Sequence, residues 1–204
     1  MERQNDKITL WGQVAQAPEY SHRGRSGDFY RVGLSVERMS GARDVLNVLV
    51  PQGLLGQVPE PGRGMGVRGE VRSYNNRTGV GARLVITVLA RELWQGEAEP
   101  ENRVYLCGTV VRQPVFRTTP LGRQICDLML AVRRRYARTD YLPVIVWGAR
   151  ALEAAGWEVG TRVELSGRMQ SREYTKEVEG LRVKKTAFEI SAAHIAPVYE
   201  SEMI

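Results

Sequence analysis

Leu10-Trp11-Gly12-Gln13-Val14 returns 96 residues further on as Leu106-Cys107-Gly108-Thr109-Val110. The same offset carries Pro18 to Pro114, Tyr20 to Phe116, and Val32-Gly33-Leu34-Ser35-Val36 to Leu128-Met129-Leu130-Ala131-Val132. It also carries Asn47-Val48-Leu49-Val50 to Pro143-Val144-Ile145-Val146, and after two inserted residues Arg68-Gly69-Glu70-Val71 is answered by Ser166-Gly167-Arg168-Met169. A period this long marks a duplicated domain, because solenoid units are several-fold shorter. Where the halves agree they report on fold, and where they differ they report on function.

The 204 residues suffice for two small domains without a cofactor to complete either core, and no cofactor is expected. Lys and Arg outnumber Asp and Glu by 29 to 23, which suits a polyanionic partner. The excess is uneven: 12 basic against 8 acidic side chains from Asn5 to Trp94, and 16 against 9 from Asn102 to Pro197. The second repeat is therefore the better candidate for holding a phosphate backbone. No apolar run is long enough to span a bilayer, and Met1-Glu2-Arg3-Gln4-Asn5-Asp6 is polar, so a cytoplasmic protein is expected. Cys107 and Cys126 form no CxxC and have only His22 and His194 for company, so they read as reduced thiols in strands, with no metal site.

Gln95-Gly96-Glu97-Ala98-Glu99-Pro100-Glu101 lacks apolar periodicity and reads as a linker over 95–101. It divides a first domain, 1–94, from a second, 102–197, which is followed by a short tail, 198–204. Each domain alternates apolar and polar residues at period two, the mark of half-buried strands. In the second, strands are expected near 103–113, 122–135, 140–147, 161–171 and 182–195. Ala149-Arg150-Ala151-Leu152-Glu153-Ala154-Ala155, stopped by Gly156, is the only helical stretch and lies between the third and fourth strands. That order is the OB-fold, a five-stranded Greek-key barrel whose face and loops commonly bind oligonucleotides. The chain is thus expected to be all-β, two tandem OB-fold barrels. In the first repeat the helix position is taken by Pro51 to Gly62, whose three Pro and three Gly predict at most one turn of helix and an irregular plug.

The second repeat interleaves rings with cations. Arg133-Arg134-Arg135-Tyr136 ends its second strand, Tyr141 opens the third, Trp147 closes it, and Arg172-Glu173-Tyr174 leads into the last hairpin, which also holds Arg182, Lys184 and Lys185. Sequence-tolerant binding of an unpaired strand needs this mixture, since every base offers a flat face for an aromatic ring and every phosphate needs a nearby cation. The same residues admit plainer readings: Trp147 as core, Arg133 to Arg135 as a solvated strand end, and the hairpin cations as a charged edge that discourages strand pairing.

These residues also carry a family resemblance. Asn102-Arg103-Val104-Tyr105-Leu106-Cys107-Gly108, Pro114, Thr119-Pro120-Leu121-Gly122, Leu130-Ala131-Val132-Arg133-Arg134, Val144-Ile145-Val146-Trp147-Gly148 and Val163 to Tyr174 resemble, in order, the bacterial single-stranded DNA-binding protein family. The resemblance implies that Tyr136, Tyr141, Trp147 and Tyr174 stack on bases, and that Arg133, Arg134, Arg135, Arg172, Lys184 and Lys185 neutralise phosphates. By the repeat offsets the first domain has Ser40, Val45, Pro51 and Asn76 at the four ring positions, with only Tyr74, Arg72 and Arg77 nearby, so it resembles the family in fold more than in binding chemistry. Trp11 alternates onto the outside of its strand, where a ring can stack on DNA or seal a contact between subunits; the resemblance favours an interface, since the family uses the outer surface of that strand for subunit contacts.

The expected function is non-enzymatic binding of single-stranded DNA, chiefly by the second barrel. No GxxxxGK[ST], HExxH or nucleophile-base pair points to catalysis. Two barrels per chain suggest a homodimer presenting four, by analogy with the family's tetramers. The family also recruits replication and repair proteins through a long tail ending in acidic and hydrophobic residues, a tail that Tyr199-Glu200-Ser201-Glu202-Met203-Ile204 does not reproduce. Two other readings stay open: a protein interaction module, and binding of single-stranded RNA, which OB-folds also accept.

Overall fold

The computed structural model describes residues 5–76, 83–134, 138–178 and 181–199. They form two compact units, and neither is one continuous stretch of chain. One contains Lys7–Arg103 and Gln170–Phe188; the other contains Val104–Met169 and the chain from Glu189, with Asp6.

In the first unit, β1 (Asp6–Val14), β3 (Gly27–Glu37), β4 (Arg43–Pro51), β5 (Gly64–Asn75) and β6 (Leu84–Gln95) close into a barrel, with β2 (Glu19–Gly24) extending β3 as a hairpin. β1 pairs antiparallel with β5, β5 with β6 and β3 with β4; β6 runs parallel to β4, and β3 returns to β1 to complete the ring. The second unit repeats this pattern. β7 (Glu101–Val110), β9 (Gln124–Arg133), β10 (Thr139–Trp147), β11 (Arg162–Val178) as far as Met169 and β12 (Leu181–Pro197) from Glu189 form its barrel, and β8 (Val115–Thr118) extends β9. β10 and β12 are the parallel pair, and β7 meets both β11 and β9. Two OB-folds are thus present. Leu10 and Leu106, Leu34 and Leu130, Leu46 and Leu142, and Val67 and Leu165 are buried counterparts, so the sequence repeat is a repeat of the core.

Ring closure rests on a glycine in each barrel. A Cβ on Gly12 would lie 2.3 Å from the Ser35 carbonyl oxygen, and one on Gly108 would lie 3.0 Å from that of Ala131, the residue matching Ser35. Gln13 registers with Ser35 and Thr109 with Ala131, so the glycines let the closing strands approach. Gly12→Ala is expected to cost about 1–3 kcal/mol, as overpacked sites do, and Gly108→Ala less, because its contact is looser. Chemical denaturation of the two variants checks the order.

The helix of the second barrel, α1 (Ala149–Ala155), spans the expected residues and buries Ala151 and Ala154. The counterpart in the first barrel is more regular than expected: Gln52–Gln57 forms a six-residue 3-10 helix, about two turns. Pro51 stands at its N-cap, where a missing N–H is harmless, and Pro59 and Pro61 lie beyond its end, so the prolines bracket the helix without breaking it. None of its residues is fully buried, so it does not fill the barrel as a plug. Among the described residues no helix is long and apolar enough to cross a membrane.

Candidate nucleic-acid interface

β10 supplies the two best-placed rings. Asp140, Leu142, Val144 and Val146 face inward, while Tyr141 and Trp147 are 47% and 36% exposed. Their even separation puts both on the outer face, about 20 Å apart at the usual strand rise. Trp147 is therefore not core. Its Nε1 donates a hydrogen bond of 3.1 Å to Ser191 Oγ, which satisfies the polar edge of the indole and fixes the ring.

Cations flank both rings. Thr139 registers with Arg133 and Tyr141 with Ala131, so the exposed Arg133 is the diagonal neighbour of Tyr141 on the same face. Arg138 is exposed one residue before β10. At the other end the Gly148 N–H donates to the Gln124 carbonyl, bringing exposed Arg123 to the Trp147 end of the strand. Among the described residues none of these three guanidinium groups has a carboxylate partner. Arg123 and Arg138 were missed in the sequence because both sit in turns, outside any strand alternation.

Arg134 has a different role from the one expected. Its guanidinium is bound through Nε and Nη2 to the fully buried carboxylate of Asp140. The first barrel holds the same clamp, Arg38 on Asp44, with both bonds at 2.6 Å. A clamp found in both repeats belongs to the fold: it ties the loop after the second barrel strand to the start of the third, and leaves Arg134 little charge to offer a phosphate. In the first barrel Asp44 also accepts bonds from the Ser171 backbone N–H at 2.8 Å and hydroxyl at 2.6 Å, while Arg38 donates to the Ser171 carbonyl. Burial pushes the Asp44 carboxyl up, but Arg38 and the two Ser171 donors together outweigh it and hold the group below the usual carboxylate range.

The remaining expected residues divide. Tyr174, half-buried, carries the Arg172 guanidinium 5.8 Å from its ring centroid, a cation–π pair. Both lie in Gln170–Phe188, with exposed Lys184 and half-buried Lys185, and so belong to the unit of the first barrel. Arg135 and Tyr136 lie outside the described residues, as do Arg77 and the tail from Glu200. Trp11 does face outward, but a Cβ on Gly64 would lie 2.6 Å from its Cζ2, so the ring rests on its own barrel. Trp94 covers Gly66 beside it, under the Arg68 guanidinium at 5.2 Å. Both cysteines are buried, and burial followed by the Asp127 charge pushes the Cys126 thiol up, which keeps it protonated and unreactive.

The second barrel therefore presents rings and unpaired cations along one strand face. Residues 101–198 match the model of the single-strand binding protein family. The chain is similar to the single-stranded DNA-binding protein of Streptococcus mutans, 30% identical over 92 residues, which are 42% of this chain and 56% of that one. The corresponding protein of Halalkalibacterium halodurans is 34% identical over 89 residues, 40% of this chain and 52% of that one. The chain spans about half the length of these curated relatives. Among solved structures, the wild-type single-stranded DNA-binding protein from Thermus aquaticus superposes with a TM-score of 0.77 at 20% identity, over 98% of this chain and 95% of that one. The fold likeness thus extends over both halves, whereas the family match covers only the second.

Proposed function

We propose that the protein binds single-stranded DNA with little sequence preference and catalyses no reaction, the outer face of β10 and its flanking turns being the main contact. The observation that carries this reading is the pair of exposed rings, Tyr141 and Trp147, on one face of one strand with Arg123, Arg133 and Arg138 at its ends. Such a surface stacks bases irrespective of identity and neutralises the phosphates between them. The family match supports the same ligand. Arg172 and Tyr174, with Lys184 and Lys185, are separate contacts for base and phosphate on the unit that contains Gln170–Phe188. The setting is cytoplasmic DNA replication, repair or recombination, and the working form is a homodimer presenting four barrels.

Titration with oligo-dT tests this. Of the four Trp only Trp147 is among the strongly exposed apolar residues, so dT is expected to quench a minor part of the emission, and Trp147→Phe to abolish that part. The three guanidinium groups beside β10 alone predict that log affinity falls with log salt at a slope of about −2, and each further phosphate contact steepens it. Equal responses to duplex and single strand, or none to either at low salt, would refute the reading. A stronger response to rU than to dT would reassign the ligand to RNA.

A further inference from the structure

The first barrel lacks rings at all four expected positions, yet its β2–β3 hairpin carries four others. His22 and Phe29 lie parallel, with centroids 5.2 Å apart and planes 9° apart. Tyr20 and Tyr30 meet edge to face at 6.0 Å and 84°. We propose that His22 and Phe29 form a second base-stacking platform, through which the first barrel binds an unpaired strand in its own right. This inference rests on the function proposed above.

Its place on the barrel is the first argument. Pro51, which occupies the position of Trp147, registers with Phe29, and Phe29 registers with His22. In the second barrel the same row reads Trp147, Ile125, Arg117. Both barrels thus carry aromatic surface in this row, but in the first it stands on the hairpin instead of on the third barrel strand. In OB-folds the second and third strands and the loop before them form the usual ligand face.

The duplication supplies the second argument. The β8–β9 hairpin of the second barrel pairs Phe116 with Cys126 and Arg117 with Ile125, so the fold does not need a ring pair there. The pair is nonetheless held in place. A Cβ on Gly24 would lie 2.8 Å from Cε2 of Phe29, so the phenyl lies against the bare backbone, and His22 lies exposed alongside it. Parallel rings leave an outer flat face on which a base continues the stack, whereas the edge-to-face tyrosines do not.

Cations suited to phosphate complete the site. Arg25 is exposed at the hairpin tip with no carboxylate partner among the described residues. The Arg23 side chain is 80% exposed, and its pairing with Asp28 is long at 4.0 Å.

The experiment uses the full chain with the double change His22→Ala and Phe29→Leu, which removes both rings while keeping apolar bulk at the half-buried site; His22→Ala alone, at an exposed position, guards against misfolding. Affinity for a long oligo-dT is expected to fall about tenfold in the double variant, the loss of one stack, and the length of strand occluded per chain to shorten. Binding of a short oligo-dT and the Trp147 quench are expected to stay as in the wild type. Ultraviolet crosslinking of the wild type to iododeoxyuridine oligomers is expected to label residues 19–31. Long-oligomer affinity and occluded length within twofold of wild type in a folded double variant, or crosslinks confined to 101–198, would overturn the platform and leave the β10 site standing. A wild type that bound no oligo-dT would overturn both.

Discussion

Replacing Tyr141 and Trp147 together by alanine is expected to weaken oligo-dT binding by about 2–6 kcal/mol, roughly 30-fold at the low end and beyond a thousandfold at the high end. Each ring offers one stack, and neither supports the core, since both are well exposed on a strand whose alternate residues fill the barrel. The thermal midpoint is expected to move by only a few degrees. Tyr141→Phe keeps the flat face and should bind nearly as well as wild type. Trp147→Phe keeps a smaller ring but gives up the bond to Ser191, so an intermediate loss is expected. The graded order, alanine worst and phenylalanine mild, distinguishes stacking from a general disturbance of the surface. An affinity for dT within twofold of wild type in the double variant would remove the basis for placing DNA on this strand.

The second large effect is on stability. Asp140→Ala leaves Arg134 without the carboxylate it grips, and removing one partner of a buried pair typically costs about 3–5 kcal/mol. Asp44→Ala should be comparably damaging, because it also strands the Ser171 donors, and amide exchange at Ser171 is expected to accelerate. The sign of the pH effect follows from the depressed folded-state pKa of Asp44. A carboxylate held below its unfolded value stabilises the fold above that value, about 4, and the contribution disappears as pH falls through the folded pKa. Denaturation between pH 7 and pH 3 should therefore show a smaller acid loss in Asp44→Asn than in wild type. An equal acid loss in both would mean that the Arg38 clamp does not hold the carboxylate in its charged form.

Much of this was legible in the chain. Alternation and the 96-residue offset located the barrels, and an alanine-rich run ending at Gly156 located the helix. What escaped has physical reasons. β8 and nearly all of β2 are exposed, so they show no inward face to alternate against. The outer parts of β11 and β12 are polar for the same reason, and each strand runs 17 residues, beyond its expected end. Arg134 sat within a run of arginines that looked solvated, although the matching Arg38 and Asp44 already stood at the repeat offset. The His22–Phe29 stack was hidden because a bulge after Tyr20 shifts the register, pairing residues whose spacing in the chain does not advertise it.

The unit that begins at Lys7 also includes Gln170–Phe188. A ribosome making this chain would finish the leading barrel's own strands long before that late segment emerged, so the bonds from Ser171 to Arg38 and Asp44 would form only afterwards. Cutting between Gly96 and Pro100 would likewise part Ser171 from the Arg38–Asp44 clamp, so separate expression of the halves is the wrong way to assign them separate duties.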